Sequence, residues 1–208
     1  ALEGATFRED RLEPIAKRTI TVVTNNCIFK EEDIIKTFND KDAPVPKIIP
    51  ESLPSLLKLA QTANLHLVTQ FPHSMHSDLT AYMESRVVPS KRAVHGEWAM
   101  DRPEKLILKA LDEAGVFAAG MHNKRKCVFC ETTEGRGYIA RTISENTDTG
   151  ALALHVDDST ESVNWLQNVC TNTTVVGIKT EINKGQFSKP KKGAPAIVVG
   201  GLADYFEK

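Results

Sequence analysis

A β-branched run, Thr19-Ile20-Thr21-Val22-Val23-Thr24, is followed by an amphipathic stretch and then by a second short apolar run, Leu65 to Val68. That order constrains the fold more than any other feature of the chain. Leu53, Leu56, Leu57 and Ala60 give the i, i+3, i+4, i+7 stripe of a helix laid on a sheet, capped by Ser52 and running to about Ala63. Strands that alternate with helices pair in parallel and need cover on both faces. The same alternation returns further along. Pro103 stands where a helix begins, with Leu106, Ile107, Ala110, Leu111 and Ala114 as its buried face and Gly115 as its end. Val116-Phe117 reads as a short strand, and Lys126 to Cys130 reads as a longer one. A helix carrying Tyr138, Ile139 and Ile143 precedes a strand at Leu152 to Val156. Asp157-Asp158-Ser159 opens a helix with Val163, Leu166 and Val169 on one face, and Thr174 to Ile178 gives one more strand. A basic loop, Lys184 to Pro195, leads to Ile197–Val199 and a final helix, Leu202 to Phe206.

The expected fold is therefore α/β: a Rossmann-like three-layer sandwich, a mainly parallel sheet with helices on both faces. Residues 1–18 are expected as a linker and 19–208 as a single domain without internal repeats. Two stretches interrupt the rhythm and read as insertions. Residues 27–47 are polar and broken by Asp40, Asp42, Pro44 and Pro46. Residues 71–100 hold Pro72, His73, His76, His95, Lys91-Arg92 and Trp98, with a short helix expected around Asp78 to Ser85.

Charge narrows the function classes. Lys and Arg total 26 and Asp and Glu 27, a net charge of -1, so no overall field holds a nucleic acid or an anionic membrane. No apolar run approaches the roughly 18 residues of a membrane span. The chain starts on Ala1 rather than Met, which leaves room for a removed upstream segment. Cys27, Cys127, Cys130 and Cys170 sit among apolar residues, as reduced buried thiols do. The Cys127-Val128-Phe129-Cys130 run has redox and zinc spacing, but on a strand positions i and i+3 face opposite ways, roughly 10 Å apart. A second ligand pair for zinc is missing, so structural thiols are expected. Asn172-Thr173-Thr174 is expected to be unglycosylated for the same reason of compartment.

In an open α/β sheet, ligands bind outside the carboxyl ends of the strands. Thr24-Asn25-Asn26 follows the first strand, at the place where a haloacid-dehalogenase-type phosphatase carries a nucleophilic Asp and a second Asp two residues on. Thr69 resembles that superfamily's phosphate-binding Thr/Ser, and Asp157-Asp158 resembles its metal-binding acids. Without the nucleophile that covalent chemistry cannot run. Thr132 to Gly137 follows a strand and opens a helix, but it lacks a full phosphate-loop pattern, and Glu134 repels an anion. His73 and His76 lack an adjacent third metal ligand, and His155 beside Asp157 has no nucleophile to serve. Lys189-Pro190-Lys191-Lys192 has no interleaved aromatics and reads as a solvated loop. These strand-end loops predict no catalytic residues, cofactor or metal. Trp165 projects beside the Val163/Leu166/Val169 stripe. It either packs at the core edge under a loop or stands at the surface as an interface anchor, and it is the partner-binding candidate of the chain.

The segments Lys109 to Phe117 (KALDEAGVF), Lys126 to Ile143 (KCVFCETTEGRGYIARTI) and Leu154 to Asp158 (LHVDD) resemble the soluble domain of the peroxisome assembly protein 22 family, most clearly its plant-type members. Agreement spans about Leu106 to Val169, with weaker likeness at Leu53 to Val68 and Ala194 to Phe206. Residues 27–47 and 71–100 depart from that pattern. The resemblance implies a noncatalytic adaptor on the cytosolic face of the peroxisomal (or glycosomal) membrane, held by an N-terminal span absent from this sequence. It further implies that the domain recruits and stimulates the peroxisomal ubiquitin-conjugating enzyme, so that the cargo-import receptor is ubiquitinated and recycled. The alternative is a phosphate-binding or degenerate haloacid-dehalogenase-like α/β protein.

Overall fold

A computed structural model describes residues 5–40, 42–71, 102–145 and 151–207. Six parallel strands form one sheet in the order β3-β2-β1-β4-β5-β6. They are β1 (Thr19–Val23), β2 (Asn64–Gln70), β3 (Cys127–Cys130), β4 (Leu154–Asp157), β5 (Thr174–Ile178) and β6 (Ile197–Val199). The helices are α1 (Glu9–Leu12), α2 (Glu31–Asn39), α3 (Leu53–Thr62), α4 (Arg102–Glu113), α5 (Val116–Ala119), α6 (Thr133–Glu145), α7 (Thr160–Val169) and α8 (Leu202–Phe206). The chain is thus a Rossmann-like α/β sandwich, as the alternation of the sequence predicts.

Central strands read as unbroken apolar runs because both faces are covered. Every residue of β1 is buried, and all four of β4 are. One face packs a large core in which Ile20, Val22, Leu65 and Leu67 meet Leu56, Leu59, Ile107, Leu111 and Phe206 from α3, α4 and α8. The opposite face carries α6 and α7 over a smaller cluster of Ala140, Leu152, Val163, Leu166 and Val175.

Several local expectations are corrected. Residues 27–47 contain α2, and Cys27, Ile28, Phe29 and Ile34 are fully buried. The Asp and Pro residues that obscure this helix lie beyond its end at Asn39. Val116-Phe117 begins the short helix α5 rather than a strand, because Gly115 turns the chain at φ 80°. Ser52 stands at the N-cap of α3 as expected, but its hydroxyl donates to the Cys27 carbonyl at 2.7 Å rather than accepting from the helix. Val169, expected on the buried face of α7, is 43% exposed. Residues 7–15, within the stretch expected as a linker, pack on the end of the chain. Phe7 bridges Glu207, Arg8 N–H donates to Phe206 O at 2.8 Å, and Leu12 and Ile15 are buried. The readings on Pro72, His73, His76, Asp78–Ser85, Lys91-Arg92, His95 and Trp98 lie outside the described residues.

Gly115 and Gly120 flank α5 with φ of 80° and 154°. A Cβ on Gly115 meets open space, whereas one on Gly120 overlaps the backbone carbonyl of Ala60 in α3. Gly115→Ala is expected to cost about 1 kcal/mol from backbone strain alone, and Gly120→Ala roughly 2–4 kcal/mol because α5 must also lift off α3. Urea denaturation of the two variants checks the difference.

Candidate functional site

The strand order reverses between β1 and β4, and the crevice at their carboxyl ends is the place where a doubly wound sheet takes a ligand. Here the chain's own side chains fill it. Arg136 reaches in from the first turns of α6, and its Nη1 donates to Asp157 Oδ1 at 2.7 Å and to Asp158 Oδ1 at 2.6 Å. Its side chain is only 4% exposed, those of the two acids 0% and 11%.

Each loop contributes a further closure. Asn26, in the left-handed region at φ 53°, donates Nδ2–H to Asp158 Oδ2 at 2.7 Å and accepts the Glu31 N–H that opens α2 at 3.1 Å. Asn25 clamps the end of β2: its amide nitrogen donates to Gln70 O and its oxygen accepts from Gln70 N–H, both at 2.9 Å. Thr24 donates its hydroxyl to Thr69 Oγ1 at 2.8 Å. From the far side Asn183 donates to Asp158 O at 2.7 Å.

His155 lies under this layer, fully buried, with Nδ1 2.7 Å from Thr21 Oγ1 and Nε2 3.3 Å from Asp157 Oδ2. The tautomer with Nε2–H donating to the carboxylate and Nδ1 accepting from the hydroxyl satisfies both contacts. Burial opposes ionisation of Asp157, but the Arg136 guanidinium, His155 and the Ser159 N–H outweigh it and hold the carboxyl well below the usual carboxylate range. For Asp158 burial and the adjacent Asp157 carboxylate push the other way, and its carboxyl is raised despite Arg136.

The structure thus brings together five of the residues singled out by the sequence, Thr24, Asn26, Thr69, Asp157 and Asp158. The residue that organises them, Arg136, is visible in the sequence only as the middle of Gly135-Arg136-Gly137, read there as part of a turn that opens a helix and lacks a full phosphate-loop pattern. The extent of that turn is corrected: the helix begins at Thr133, and the glycines lie inside it. The arginine is consumed by two carboxylates. Asp157 and Asp158 are also the acids that a metal would need, and among the described residues no group of three His, Cys, Asp or Glu is placed to hold a metal ion.

Cys127 and Cys130 are free thiols. Burial pushes them up to about 12 and about 11, so neither is thiolate at neutral pH. The Lys191 and Lys192 N–H groups both donate to Asn168 Oδ1, at 2.7 and 3.2 Å, which fastens the basic loop along α7. Trp165 is half-buried at the edge of the smaller core and lies against Tyr138 of α6, ring centroids 5.2 Å apart. Tyr138 itself is 59% exposed, because α6 packs through Arg136, Gly137 and Ala140. Compared with known proteins, the chain matches no family and no curated protein.

Asp157 has a folded pKa below its unfolded value of about 3.9, so its contribution is complete above about pH 4 and is lost as pH falls through the depressed value. Asp157→Asn should cost about 3 kcal/mol at pH 7 and leave a shallower acid limb of stability. Asp158→Asn, whose carboxyl is already disfavoured as an ion, should cost about 1 kcal/mol. Arg136→Met, which strands both acids, should cost roughly 3–5 kcal/mol. Denaturant midpoints at pH 7 and in acid measure all three.

Proposed function

We propose that this chain is a noncatalytic docking module that recruits and stimulates the peroxisomal ubiquitin-conjugating enzyme. It would act at the cytosolic face of the peroxisomal (or glycosomal) membrane, in import-receptor ubiquitination and recycling. The observation that carries the noncatalytic half is the filled crevice. At the point where a Rossmann-like sheet takes its ligand, Thr24, Asn25, Asn26, Thr69, Asp157 and Asp158 each hold another part of the fold, although Gln70 Oε1 and Arg136 Nε are buried there without a partner. Emptying that crevice would unpair a buried guanidinium and two carboxylates, a cost of several kcal/mol that ordinary ligand contacts must first repay.

The adaptor half rests on the resemblance. The segments that carry it lie on α4 and α5 (Lys109 to Phe117), on β3 and α6 (Lys126 to Ile143) and on β4 with its following residue (Leu154 to Asp158). The last two border the filled crevice through Arg136, Asp157 and Asp158, whereas the first packs near the end of α3 that leads into β2, at the other end of the sheet. Stimulation by such a module is differential binding: it favours the active conformation of the enzyme by binding it more tightly than the inactive one, and tenfold needs only about 1.4 kcal/mol. A membrane tether adds effective concentration without new contacts.

The second reading, a degenerate haloacid-dehalogenase-like phosphate binder, has the convergence of Thr24, Asn26, Thr69, Asp157 and Asp158 in its favour. It has against it that the Thr24 hydroxyl is fully buried and already bonded to Thr69.

Titration with the conjugating enzyme, followed by discharge of its thioester-bound ubiquitin, separates the two. A complex at micromolar concentration with faster discharge is expected. No complex at tens of micromolar and unchanged discharge would sink the adaptor reading, and metal-dependent phosphoester hydrolysis lost in Thr24→Ala would favour the second.

A further inference from the structure

Outside the crevice, α6 and α7 enclose a small cleft of about 90 Å³. Drug-sized ligands occupy some 300–1,000 Å³, so this volume suits the end of one side chain. The cleft is lined by Glu134, Gly137 and Tyr138 of α6 and by Glu161, Ser162 and Trp165 of α7.

Three independent features give it a chemistry. Two aromatic rings form one wall, tilted at 59° to each other, with Tyr138 mostly in solvent. The Trp165 ring lies flat on α6 only because residue 137 is glycine, since a Cβ there would stand 2.9 Å from the indole. Glu134 and Glu161 stand in the first turns of the two helices, exposed and without an ion pair among the described residues. Ser162 is 2% exposed, and its Oγ has no hydrogen-bond partner. Its backbone N–H is taken by the Ser159 cap at 3.2 Å, and the residue lines the cleft, so its buried hydroxyl has no bond within the fold. An orphaned buried hydroxyl costs free energy unless a ligand completes it.

The sign of the ligand follows from weighing charges. Two helix N-termini favour an anion by a fraction of a unit charge each, within the first turn. Two unpaired carboxylates at the rim are full charges and outweigh them. A cation meets the ring faces, the carboxylates and the hydroxyl at once, and a guanidinium does so best, being planar, able to stack and supplied with five donors.

We infer that the Tyr138–Trp165 cleft is a docking site for an arginine side chain presented by a partner protein. The site deepens the docking reading above by naming the partner's contact chemistry, and rests on that reading only for the identity of the partner.

The test uses the full chain with Trp98→Phe, so that Trp165 is the sole indole. It is titrated with acetyl-Gly-Arg-Gly-amide, with the citrulline analogue and with inorganic phosphate. The arginine probe is expected to change Trp165 fluorescence saturably. The Glu134→Gln/Glu161→Gln double variant should bind it about tenfold more weakly. Ser162→Ala should weaken it severalfold with no loss of melting temperature, because no internal hydrogen bond of the hydroxyl is removed. The inference is overturned by no saturable response to the arginine probe. It is equally overturned by an equal response to citrulline or phosphate, or by an unchanged affinity in the double variant. A conjugating-enzyme complex that forms with wild-type affinity in the double variant also overturns it while leaving the docking reading intact. Arginine binding without any such complex supports the cleft and removes the docking reading alone.

Discussion

The Arg136 guanidinium is the interaction on which the carboxyl end of the sheet depends. A buried cation is tolerated only when its charge is compensated, and Arg136 Nη1 has two carboxylates within 2.7 Å, although its buried Nε has no partner. Apolar stripes set which face of a helix is buried but let it slide along its axis. An arginine that must reach Asp157 and Asp158 fixes α6 along the sheet. The glycines on either side serve that approach: a Cβ on Gly135 would press on Cys130 at 3.1 Å, and one on Gly137 would strike Trp165. Gly135-Arg136-Gly137 is thus a helix segment shaped for close packing, with one long polar arm extended into the switch point.

Closing the switch point moves the available chemistry outward. Thr24, Asn25, Asn26, Thr69 and Asn183 all hold neighbouring loops together, so the strand ends act as a latch between β1, β2, β4 and β5. With Arg136 turned inward, the opposite side of α6 is left with Glu134 and Tyr138, beside Glu161 and Trp165 of α7. The filled crevice and the exposed aromatic pair are two consequences of one helix orientation.

Much of this was legible in the sequence, and for physical reasons. Buried parallel strands are continuous β-branched runs, so β1 and β5 stand out with few competing readings. Stripes of large aliphatics mark α3 and α4, which rest on the sheet. The helix α2 escaped because three acidic residues lead it and prolines follow it, a composition that also describes loops. The buried face of α6 escaped for a subtler reason. It is built from Arg136, Gly137 and Ala140, whereas the large residues that mark this helix in the sequence are Tyr138, Ile139 and Ile143. Small residues at helical spacing beside a second helix are the signal that would have found it. Trp165 was legible as ambiguous, and the structure explains the ambiguity, since one part of the ring supports the smaller core and another lines the cleft.

Charge placement, invisible in a net value of -1, completes the account. In dinucleotide-binding sheets of this topology, helix N-termini face phosphate groups with their amides free. Here those positions carry the protein's own anions: Glu31, Glu32 and Asp33 on α2, Glu134 on α6 and Glu161 on α7. Carboxylates there gain from the helix dipoles and repel a phosphate arriving from solvent. Arg136, which reaches into the crevice, is spent on Asp157 and Asp158. At these three helix starts, carboxylates rather than free amides meet what approaches from solvent, and their charge favours a basic side chain over a phosphate.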